Sequence, residues 1–502
     1  MAIDIYCGEH SGVSREAIES FERAVWNVFA HRPDAAPAIE TALQAQPDFI
    51  AAHALRALCC VSLARSETFE AARTHAEAAR AAVGSKIATS GEQALVRAAE
   101  NAAAGHLLRA ADCLDQRLAE QPRDLLALKL SHGLRFMSGD AAGMLRTTRR
   151  AVARLSPAAP GFGFALGCHA FALEENGDLA EAERVGRQAV QHEPFDAWGA
   201  HAVGHVYETT GQAGAGVAWL EQTRGMWSGC NNFAFHMAWH LALCQMAQGR
   251  MEAALELYDR HVRPQKTDDF RDIANAVSLL WRMRQEGIAV GDRWDELAVI
   301  ARRRANDSSL VFALLHHLLT ALAVGDRTTA NAIVATIERS ARSDARDQDR
   351  VAGQIGVKLA SQFAGLLDAD AQSTPRRTDI EDVRRLGGSN AQRDVFLRTL
   401  ALMAAEGGSR HEMERALKGR NRLRADRFET MTRARAERSA RTLEVALGGG
   451  ADEADRRRRA RAARPASGFF PRNWDVHHPR RAYPLESLDE LDSRAIRLQR
   501  RR

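Results

Sequence analysis

Two pairs of histidines stand four residues apart, His201 with His205 and His236 with His240, and all four fall within a stretch of forty residues. Four residues is just over one helical turn, so on a helix each pair turns both imidazoles to the same side. Eighteen histidines spread over 502 positions would give about 0.6 such pairs by chance. Glu208 adds a carboxylate three residues after His205, and Trp239 adds an indole beside His240. Three chemistries are open to this set. Neutral imidazoles one turn apart can share an ion, and imidazole suits zinc, copper, nickel and iron; His201, His205, His236 and His240 are therefore candidate ligands of a divalent transition metal, with Glu208 as a further ligand or as base for a metal-bound water. Without metal, the paired rings could exchange protons with a substrate or hold an acidic peptide. Third, they could be packed helix histidines, with Trp198, Trp219, Trp227 and Trp239 as core.

The elements that must carry these residues are legible from glycine spacing. Gly105, Gly139, Gly177, Gly211 and Gly249 each close an apolar helical stretch and precede another, at intervals of 34, 38, 34 and 38 residues. That is a helix, turn, helix period. Around Gly177, the small residues Ala170, Ala182 and Ala189 and then Pro194 fall where a 34-residue tetratricopeptide repeat needs close helix approach and a helix stop. The same register is expected at Ala110 and Pro122, at Ala71 and Ala78, and at Ala35, Ala42 and Pro47. The expected fold is all-α: a tetratricopeptide-type right-handed α-solenoid of stacked helix pairs over 1–265, degenerate helical repeats over 266–367, a linker at 368–378, C-terminal helices over 379–447 and an Arg-rich, disordered tail over 448–502. No sheet is expected, because Ala and Leu dominate and β-branched alternation is missing.

That register places His201, His205 and Glu208 at the fifth, ninth and twelfth positions of one first helix, and His236, Trp239 and His240 at the second, fifth and sixth of the next. Successive first helices lie about 8 to 10 Å apart, so the six residues should meet on the concave groove. His169 reads instead as a core histidine, and His316 and His317, being adjacent, diverge by about 100° and cannot share a target.

The run from Pro194 through Trp198, His201 and His205 to Glu208, then Phe235 to Leu243, then Leu255 to Asp259, resembles the signature of the tetratricopeptide repeat protein 38 family, as does Gly387 to Phe396 with Arg393 and Asp394. The resemblance spans about residues 5 to 440 and implies an all-helical repeat protein without assigning an activity. Two functions follow. One is a binding or scaffold protein whose concave groove takes a peptide, protein segment or small ligand. The other is a metal-binding protein or metal-dependent enzyme centred on the four histidines.

Composition excludes more than it selects. The net charge of +5 is concentrated at the end: residues 451–502 hold 14 arginines against eight acidic residues, leaving 55 basic and 56 acidic residues elsewhere. A neutral body offers no basic stripe for nucleic acid. The longest apolar stretch, 310–324, is too short for a membrane span, and the N-terminus lacks the pattern of a secretory signal. A cytoplasmic protein is expected. Seven cysteines without a C-x-x-C read as buried thiols, and the Gly387-Gly388-Ser389 run lacks the ending of a P-loop.

Overall fold

A computed structural model describes residues 2–85, 87–367 and 380–447. The expected linker and Arg-rich tail lie outside the described residues. Among these, the chain is helical almost throughout, in pairs of antiparallel neighbours that pack in sequence order. The five turn glycines named from the sequence all adopt the left-handed backbone, with φ between +71° and +87°. Each does the same work. At Gly211, for example, the Gly211 N–H donates to the Glu208 carbonyl and the Gln212 N–H reaches back to that of Tyr207 (2.8 Å), which satisfies the last free carbonyls of the helix and reverses the chain. Only a residue without a Cβ takes that conformation cheaply.

Close packing follows from the small residues. Ala170, Ala182 and Ala189 are fully buried, and a Cβ placed on Gly186 would come within 2.7 Å of the Val203 side chain. One pair departs from the expected register. Ala71 is exposed and Ala78 half-buried, whereas their neighbours Ala72 and Ala79 lie in the core. The preceding turn is made by Ala64 (φ +50°) rather than glycine, so no glycine anchors the count there. A second departure is at the N-terminus, where Ala2–Ile3 pairs antiparallel with Glu9–His10. This two-stranded ribbon is held by Asp4, whose carboxylate accepts from His10 Nε2 at 2.8 Å, and it exists for that local turn rather than for any apolar alternation.

The glycine turns continue beyond residue 265, at Gly287 (φ +82°) and Gly325 (φ +69°). The later helices then pass back along the earlier turns. Ser66 Oγ donates to Asp307 (2.8 Å), the Asp347 N–H donates to the Gly105 carbonyl (3.0 Å), the Asn390 N–H to Glu175 (2.7 Å) and the Leu423 N–H to the Thr209 carbonyl (3.2 Å). At the other end, the Asn231 N–H donates to the carbonyl of His31 (2.7 Å), joining the first helix pair to the loop before the Phe233–Ala247 helix. The inner face around the histidines is therefore enclosed by the chain itself. No helix among the described residues is long and apolar enough to cross a membrane.

Candidate metal centre

The Ala197–Thr209 helix starts at Asp196, whose side chain caps it by accepting from the Gly199 N–H at 3.1 Å. The Phe233–Ala247 helix packs beside it. Both are apolar around most of their circumference, as helices buried on several sides must be, and this presses the histidine pairs against each other. His201 Nε2 lies 2.9 Å from His205 Nε2, 3.0 Å from His236 Nε2 and 3.1 Å from His240 Nε2. His236 and His240 meet Nε2 to Nε2 at 3.2 Å. One nitrogen from each of the four rings lies within 4.8 Å of every other.

Two of the four outward nitrogens are held by acceptors. His236 Nδ1 donates to Asn275 Oδ1 (2.9 Å) on the Phe270–Gln285 helix, and His240 Nδ1 donates to Glu208 Oε2 (3.1 Å). His205 Nδ1 faces Glu174 Oε2 at 3.5 Å. These carboxylates are fixed in turn: Glu208 Oε1 accepts from Arg422 Nη2 at 3.0 Å and Glu174 Oε1 accepts from Thr209 at 3.1 Å. His201 Nδ1 has no hydrogen-bond partner among the described residues.

This arrangement decides the proton count. A neutral imidazole carries one N–H, so donation from Nδ1 leaves a bare lone pair on Nε2. For His236 and His240 the two lone pairs then face each other across 3.2 Å with no proton to share, and His201 can offer its one proton to only a fraction of its three neighbours. Charging the rings is opposed by burial, which pushes His236 down to about 4 and holds His201, His205 and His240 well below the usual imidazole range. A cation at the focus removes the conflict. Metal-to-nitrogen bonds of about 2.0 to 2.1 Å arranged tetrahedrally span about 3.3 Å between nitrogens, so a few tenths of an ångström of opening admits the ion. Outer acceptors on ligand imidazoles also fix tautomer and ring orientation, as at histidine-ligated metals generally.

The sequence placed all six residues together, and they are together, but not on an open groove. His201, His205 and His240 are each 1% exposed, because the helices that return along the inner face cover them; only His236 is half-buried. Glu208 supports His240 from behind instead of facing the focus, so it is neither ligand nor base in this geometry. Trp239 is fully buried and stacks on His236, with ring centroids 5.2 Å apart. Trp198, Trp219 and Trp227 are core, each with its indole N–H donated. His169 meets Thr148 Oγ1 at 3.0 Å. His316 and His317 lie in a separate core region.

Sequence reasoning missed Asn275, Glu174 and Arg422. Glu174 had a signal: it stands three residues before Gly177, as Glu208 stands three before Gly211. Burial and the nearby Glu175 and Glu208 push its carboxyl well above the usual range, a burden that a neighbouring cation would relieve. No family model matches the chain.

Proposed function

We propose that this chain is a metal-binding protein whose centre is formed by His201, His205, His236 and His240 within a tetratricopeptide-type right-handed superhelix. The observation that carries the reading is the inward convergence of four Nε2 atoms, 2.9 to 3.2 Å apart in four of their contacts, while Nδ1 of His236 and His240 is committed to outward acceptors. All-imidazole ligation selects a divalent first-row transition ion over magnesium or calcium, which prefer oxygen. Asn275 and Glu208 set the tautomer of two ligands, and Glu174 stands ready to set that of His205. The resemblance to the tetratricopeptide repeat protein 38 family fits the helix pairs and the positions of the histidines, and the family itself is part of this proposal. A peptide laid along the inner face is less favoured by the burial, since it would meet His236 but not the three rings behind it.

Elemental analysis of purified full-length protein tests the reading. One transition-metal equivalent per chain is expected in the wild type and less than a tenth of that in His201→Ala and His240→Ala. Protein that neither contains such an ion nor takes one up from a stoichiometric supply of zinc, iron, copper or nickel would sink it.

A further inference from the structure

Next to the four histidines the inner face carries a cation, Lys129, that makes no ion pair among the described residues; the carboxyl whose charge it influences, Asp196, is buried and pushed up to about 7 by that burial. Lys129, on the Leu125–Met137 helix, stands ten residues before its turn glycine Gly139, as His201 stands ten before Gly211, so the repeat delivers both to the same face. It is half-buried. Its ammonium lies 5.0 Å from the centre of the Trp198 ring and donates to His31 Nε2 at 3.2 Å. Among the described residues no carboxylate pairs with it. An ammonium drawn out of water needs a partner; one imidazole lone pair and an aromatic face answer only part of that need and leave two N–H donors unused.

His31 is held for this purpose at some cost. Its φ of +53° is in the left-handed region that side-chain-bearing residues avoid. The backbone is pinned there by the hydrogen bond from Asn231 to its carbonyl (2.7 Å), and the ring stacks on Phe233 (4.4 Å) and Trp198 (5.3 Å). Burial, Lys129 and Arg271 keep the imidazole neutral, so it accepts from the ammonium. Arg271, half-buried on the Phe270–Gln285 helix, also acts on His31, but its charge is already matched by Asp269. Phe233 and Trp198 in turn pack on His236 and His201, at 5.7 and 4.8 Å between ring centroids, and His236 is the one ring of the centre that is not fully buried.

We propose that Lys129, aimed by His31, seats an oxyanion: the carboxylate or phosphate group of a small acidic molecule that reaches the centre from the His236 side. The metal reading enters only in what lies beside the seat, which itself rests on Lys129 and His31.

The test uses the full chain as wild type, Lys129→Met and Lys129→Arg, titrated calorimetrically with inorganic phosphate and separately with acetate, with metal content measured on the same samples. Saturable binding of one equivalent of either anion is expected in the wild type, weakened at least tenfold in Lys129→Met and kept within about threefold in Lys129→Arg, which preserves the charge. Metal content should be the same in all three. Binding of phosphate alone assigns a phosphate group, and binding of acetate alone a carboxylate. No saturable binding of either anion in the wild type, or equal binding in Lys129→Met, overturns the proposal. Lys129-dependent binding in protein that holds no metal upholds the seat while the metal reading fails; metal retained without anion binding removes the seat alone.

Discussion

Two regions of this molecule bury histidines and do opposite things with them. Around His201 the four rings belong to two neighbouring helices at four-residue spacing, and their Nε2 atoms point at each other. On the Val311–Ala323 helix, His316 and His317 are consecutive and turn apart. His316 Nδ1 donates to the Phe312 carbonyl four residues back (2.8 Å) and its ring packs edge-on to Phe396. Burial is common to both, so burial does not make a centre; convergence does. The difference should appear first in metal content and stability. In the wild type, chelation is expected to lower the melting temperature strongly, since an ion at a thousand times its dissociation constant stabilises the fold by about 4 kcal/mol. His201→Ala should melt at one temperature with or without chelator, whereas His316→Leu should respond to chelator as the wild type does. A wild type indifferent to chelator after metal loading would erase the distinction.

A smaller effect separates the two regions at the level of outer support. Glu208 connects His240 to Arg422, and nothing comparable stands behind His316, whose Nε2 has no partner among the described residues. Glu208→Gln keeps the shape and weakens the acceptor, so metal affinity is expected to fall about 10- to 100-fold with the ion still bound at saturation. Competition against a chromophoric chelator measures it. Unchanged affinity would mean that the carboxylate only anchors Arg422.

How much of this could be read from the chain alone depended on whether the repeat period reached the residue concerned. The glycines at 105, 139, 177, 211 and 249 announce the turns because a left-handed residue has few alternatives; Gly325-Asp326 reads as a turn on the same ground, and Gly287, 38 residues after Gly249, completes the series although the small-residue positions around it fade. Where the turn is Ala64, the count slid by one and named Ala71 and Ala78 for Ala72 and Ala79. The histidines were found by spacing, and Glu174 lay one period before Glu208. Arg422 and the His31–Lys129 pair were out of reach for a different reason: they are brought in by the chain closing on itself, across 214 residues for Glu208 to Arg422 and 98 for Lys129 to His31, whereas Asn275 stands 39 residues from His236 on the next helix of the series, where the small-residue positions fade. The same closure hid the burial of the site. Periodicity reports which side of a helix faces inward, and says nothing of what later folds across that side.

The smallest expected effect is a slope. His316 is pushed down to about 3 and His317 to about 4 by burial. An unfolded histidine takes up its proton near pH 6.5, so between that pH and the folded value the unfolded chain binds the extra proton and the native chain does not. Stability contributed by each neutral ring is full above about 6.5 and falls as the pH drops, by about 1.4 kcal/mol per pH unit per ring. His316→Leu removes one such proton. Its stability at pH 7.5 should lie within about 1.5 kcal/mol of the wild type, a change of shape rather than of volume. By pH 5 the variant should have gained about 2 kcal/mol relative to the wild type. Denaturant titrations at the two pH values, with chelator present so that the four-histidine centre contributes equally to both proteins, measure the difference. Parallel pH curves would show that His316 takes up its proton in the native state over the same range as in the unfolded chain, and a charged ring there would need a counter-ion that Phe312 and Phe396 cannot supply.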